Sequence, residues 1–88
     1  SNKNSKSSEY NLVINWTSNN ITQEVIKNSL SELSTSLKLV RYENSPGAYS
    51  AVFLIDIKQG SNIDTVIKSL NNIDENLAIT FFESKVNW

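Results

Sequence analysis

The chain contains no cysteine and no histidine among its 88 residues. Without thiols there is neither a disulfide framework nor a thiolate metal site. Without imidazole the commonest general base, the usual nitrogen ligand for metals and the side chain that titrates near neutral pH are missing together. Glycine occurs twice and proline once. Gly47 and Gly60 both sit in turn-like settings, so no phosphate-cradling glycine loop is present. No run of about 18 apolar residues and no signal-peptide core appear, so these residues predict no membrane-spanning helix. Positive charge is not in surplus either: 8 Lys and Arg stand against 9 Asp and Glu, for a net charge of -1. Nucleic-acid binding normally needs a clustered excess of cations, and this balance argues against it.

Asn and Ser are abundant instead, close to a third of the chain. At that frequency the triplets Asn15-Trp16-Thr17 and Asn20-Ile21-Thr22 are expected by chance and do not by themselves predict glycosylation. A chain of this length supports one small domain, burying roughly 60–65% of its unfolded surface. The polar start, residues 1–9, reads as a linker with Ser1-Asn2 a remnant of cloning, and residues 10–88 as the domain. The chain is accordingly expected to be a domain cut from a larger protein.

The domain divides by hydrophobic period. In "YNLVINW", Tyr10, Leu12, Ile14 and Trp16 alternate with Asn11, Val13 and Asn15, the pattern of a strand with one buried face. Ile21, Val25, Ile26, Leu30 and Leu33 then fall on a helical stripe, with Asn20 as cap and Gln23 completing a capping box. "SLKLVRYE" is a second strand, with Leu37 and Leu39 on one face and Lys38, Val40 and Tyr42 on the other. Asn44, Ser45, Pro46 and Gly47 make the turn to the third strand, "AYSAVFLIDIK", and the two strands pair as a hairpin. A second helix carries Ile63, Val66, Ile67, Leu70 and Ile73, capped by Ser61 or Asn62. "LAITFFE" is a fourth strand with Leu77, Ile79 and Phe81 inward. The order βαββαβ predicts an α+β, ferredoxin-like fold: a four-stranded antiparallel sheet with both helices on one face and the first and third strands central.

The other face of the sheet is left without helices. By alternation it carries Val13, Val40, Tyr42, Val52, Leu54 and Phe82, more apolar than a face meant only for water, and these are the candidate interface residues. The tail, with Val86 and Trp88, is an alternative cover for part of it. "GAYSAVF" looks at first like a strand on which RNA bases stack, but the phase turns Tyr49 and Phe53 toward the helices. No base stands beside any serine in a nucleophile pattern, Asp74-Glu75 lies in a loop, and Asp56 on the open face is a single carboxylate. Accordingly the residues predict no enzyme, no cofactor, no metal site and no nucleic-acid partner.

The run "STSLKLVRYENSPGAYSAVFLIDIK", with "IDTVIKSL" and "NLAITF", resembles the C-terminal soluble domain of an uncharacterised family of bacterial membrane proteins distantly related to MgtC/SapB. The matching positions are Thr35-Ser36, Leu39-Val40-Arg41, Gly47, Asn76-Leu77 and Ile79, over about the last two-thirds of the chain. The resemblance implies a ferredoxin-like or ACT-like regulatory, ligand-sensing or assembly module on the cytoplasmic side of a bacterial membrane. Its implied partners are a second copy of itself or the membrane-embedded part of the same protein. An ACT-like domain that senses small molecules or ions, near the "TSNN" loop, is the alternative.

Overall fold

The structure is a computed structural model, and it describes residues 9–84. The described residues form β1 (Glu9–Trp16), α1 (Gln23–Ser31), β2 (Ser34–Ser45), β3 (Ala48–Ile57), α2 (Ile63–Ile73) and β4 (Ala78–Glu83). All strand pairs are antiparallel, in the order β2-β3-β1-β4. This is the ferredoxin-like βαββαβ arrangement that alternation and helical stripes predict. Glu9, assigned to the linker from its polarity, is the first residue of β1 and lies opposite Asp56. The tail residues Val86 and Trp88 lie outside the described residues.

One face of the sheet and two helices enclose a single core. Leu12, Ile14 and Trp16 of β1, with Ala51, Phe53, Ile55 and Ile57 of β3, meet Ile26 and Leu30 of α1 and Val66 and Leu70 of α2. The helices lie side by side, joined by a hydrogen bond of 2.7 Å between the Ser29 and Ser69 hydroxyls. Val25, expected on the buried stripe, is half-exposed because it flanks the line through Ile26 and Leu30.

Two local details, the α1 cap and the hairpin turn, differ from expectation, and at the α2 cap one of the two expected residues is found. The cap of α1 is Thr22, whose Oγ1 accepts from the Val25 amide at 3.2 Å, and not Asn20. Gln23 is therefore the first helical residue rather than the third, too early to close a capping box, and its Oε1 is buried without a hydrogen-bond partner. The hairpin turn is only two residues long, since Asn44 pairs with Tyr49 and Ser45 with Ala48. Pro46 holds the fixed φ and Gly47, at φ 78°, the left-handed one that a side chain would resist. For α2, Asn62 is the cap: its Oδ1 accepts from the Thr65 amide at 2.8 Å.

Candidate interaction surface

The helix-free face can be laid out row by row from the strand register. Going from edge strand β2 through β3 and β1 to edge strand β4, one row reads Glu43, Ser50, Asn15, Ala78. The next reads Arg41, Val52, Val13, Thr80, and the third Lys38, Leu54, Asn11, Phe82. A fourth holds Ser36, Asp56 and Glu9. The middle of the face is largely apolar: Val13 and Val52 are partners across the ladder, Leu54 follows Val52 on the same face of β3, all three are half-buried, and Phe82, 52% exposed, lies on the edge strand beyond Asn11.

Four of the six candidate residues, Val13, Val52, Leu54 and Phe82, are thus brought together. The other two are not part of that group, for one reason. Between Leu39, opposite Phe53, and Arg41, opposite Val52, the ladder shifts by one residue, which makes Val40 the extra residue of a β-bulge. Val40 is exposed on the β2 edge without a partner across the ladder. Beyond the bulge the phase of β2 reverses. Tyr42 falls opposite the buried Ala51, on the helix side, and not on the open face where simple alternation puts it. There its ring lies nearly parallel to Trp16 at 6.4 Å, while Tyr49 stacks on the same indole at 5.7 Å. Ala51 is what makes this reach possible, because its methyl leaves room above β3 for the phenol to lean toward β1.

Arg41 is the residue that alternation misses. Continued without a bulge from Leu39, β2 would set Arg41 opposite Ala51 and drive a guanidinium into the core, which costs several kcal/mol unless it is paired. The bulge turns it outward, where it pairs with Glu43. The signal was in the spacing of the apolar residues: Leu37, Leu39 and Tyr42 are separated by two and then three, and an extra residue restores the period.

Among the described residues the open face carries one ring, Phe82, and it lies on an edge strand; Tyr49 and Phe53 face the helices. No group of three or more Asp, Glu, His or Cys gathers among the described residues in a way that holds a metal ion. At the hairpin end of the sheet a hollow of about 380 Å³ opens between Asn15, Thr17, Glu43, Ser50, Asn76 and Ala78. No helix among the described residues is long and apolar enough to cross a membrane.

No family model matches the chain, and neither a curated protein nor a solved structure matches it. Fold and surface together define an α+β domain of ferredoxin-like order in which, among the described residues, one sheet face carries no helix and has Val13, Val52 and Leu54 near its centre.

Proposed function

We propose that the chain is a non-catalytic interaction domain that docks through the open face of its sheet, and that it serves as the cytoplasmic regulatory module of a bacterial membrane protein. The observation that carries the docking reading is that Val13, Val52, Leu54 and Phe82 share one sheet face that, among the described residues, carries no helix. A solvated face of a two-layer domain is normally polar, and here three of the four central positions, Val13, Val52 and Leu54, are branched and apolar, the fourth being Asn11. The membrane-protein context rests on the resemblance of the β2-β3 hairpin, α2 and β4 to that family.

Sedimentation equilibrium of the parent chain and of Leu54→Asp tests the docking reading. Concentration-dependent association that Leu54→Asp abolishes, with the far-UV spectrum unchanged, is the expected result. A parent chain that stays monomeric at high concentration and is indifferent to the charge counts against it.

The hollow beside Thr17 supports a second reading, that of an ACT-like small-molecule or ion sensor, because it lies at the start of the Thr17–Asn20 loop. A ligand that binds only the folded state raises its stability. A thermal-shift series with amino acids, nucleotides and divalent cations separates the two readings, and no shift with any of them removes this one.

A further inference from the structure

We propose that the occupant of the open face is a second copy of the same chain, turned about a diagonal twofold axis in the plane of the sheet, so that Lys38 and Arg41 of each copy meet Asp56 and Glu9 of the other. This rests on the docking reading above and adds to it the partner and the register.

The charges of the described open face are sorted by position. Both cations are on edge strand β2, Arg41 opposite Val52 and Lys38 opposite Leu54. Asp56 and Glu9 are neighbours on the two central strands, one row beyond Leu54 and Asn11. Glu43 stands at the far corner and pairs with Arg41 within its own chain. Glu9 accepts from the Ser84 hydroxyl at 2.9 Å, and both Glu9 and Asp56 have partners within their own chain, so a cation of a second copy joins them as an additional donor, which a carboxylate can accept.

A twofold dimer presents the same patch twice, so the axis decides what meets what. An axis across the strands through the middle of the face stacks Arg41 of one copy on Lys38 of the other, like on like. An axis along the strands sets Lys38 over Phe82 and leaves its ammonium against a ring edge and desolvated. The diagonal axis does neither. With strands about 4.8 Å apart and successive residues on one face about 6.8 Å apart, the step from Lys38 to Asp56 is one strand across and one row along. The line bisecting that step at right angles passes within about 1.5 Å of Leu54 and Asn11, through the middle of the face, and sets the two Asn11 amides against each other, where they can hydrogen-bond.

A half-turn about this line lays Lys38 on the partner's Asp56 and brings Arg41 to within about 3 Å, in projection, of the partner's Glu9. Phe82 falls on the partner's Val13, and Leu54 meets its own counterpart. Strand directions of the two copies then cross at roughly 70°, toward the orthogonal class of sheet packing. Apolar contact at the centre supplies the association, while the ion pairs around it choose the register.

Two charge-reversed chains test this by sedimentation equilibrium, alone and mixed. K38D/R41D makes the relevant positions all acidic, and E9K/D56K makes them all basic. Each alone is expected to raise the dimer dissociation constant at least roughly tenfold, through repulsion at both ends of the interface. Their equimolar mixture is expected to recover association as a heterodimer, since every facing pair is then of opposite sign. Circular dichroism checks the fold; should E9K/D56K lose its spectrum, K38D and D56K alone carry out the same mixture. If the parent associates and Leu54→Asp abolishes it, but the reversed chains associate as the parent does, this register is overturned and the docking reading stands. If the reversed chains are weakened alone and the mixture does not recover, the charges act within one chain and the register is again overturned. A monomeric parent overturns both.

Discussion

Replacing Tyr42 by alanine separates the bulged sheet from a regular one. In the structure Tyr42 lies on the helix side, stacked toward Trp16, and is 37% exposed, so close to two thirds of it is covered. A tyrosine has roughly 200 Å² to bury, which leaves about 130 Å² removed from water here. At about 25 cal/mol per Å² that amounts to about 3 kcal/mol, and compaction of the unfolded chain brings it down to about 2 kcal/mol. For a domain of this size each kcal/mol moves the melting midpoint by about 4–8 °C, so Tyr42→Ala should melt about 8–16 °C below the parent. Urea and thermal unfolding followed by far-UV circular dichroism measure this, and sedimentation equilibrium run alongside should show association unchanged once the variant is studied well below its midpoint. A loss under about 0.5 kcal/mol, together with altered association, would refute the bulge and return Tyr42 to the open face.

Two further perturbations probe the core and a helix start. Phe53 is fully buried at the middle of β3, and Phe53→Ala should cost about 3–5 kcal/mol, most of the stability of an 88-residue domain, leaving a molten or unfolded chain by circular dichroism at 37 °C. Asn62 caps α2 with both the amide and the hydroxyl of Thr65 as donors, so Asn62→Ala should lower urea stability by about 1 kcal/mol, whereas Asn20→Ala, at the position that is not a cap, should be nearly silent.

The element order was legible because the chain obeys two periods cleanly. Tyr10 to Trp16 and Tyr49 to Ile57 alternate without a break, and those are the two central strands, where a one-residue slip would turn the whole apolar set outward. Cap positions were less legible, since Ser, Thr and Asn crowd every loop of this chain and each is a competent cap; only the hydrogen bond from Val25 singles out Thr22 over Asn20. The edge strand was the least legible. An edge has a partner on one side only, so it tolerates an inserted residue that a central strand does not, and β2 has two such irregularities.

The bulge at Val40 has a second consequence, which links the core to the surface. By one added residue it moves Tyr42 inward to complete the stack with Trp16 and Tyr49, and moves Arg41 outward beside Lys38 on the open face. The same step that spares the core a buried cation thus sorts both cations of that face onto one edge strand. It also breaks the flat run of backbone donors and acceptors along β2, which discourages strand-to-strand pairing at that edge. With the edge made irregular and the face left apolar and charge-sorted, association through the face is favoured over extension of the sheet. Deleting Val40 tests the role of the irregular edge alone: the register Leu39–Phe53, Arg41–Val52, Tyr42–Ala51 is then continuous and Tyr42 and Arg41 keep their faces, so the fold should survive while the straightened edge gains a tendency to aggregate through β2. A Val40-deleted chain that fails to fold would show that the bulge is required by the core itself.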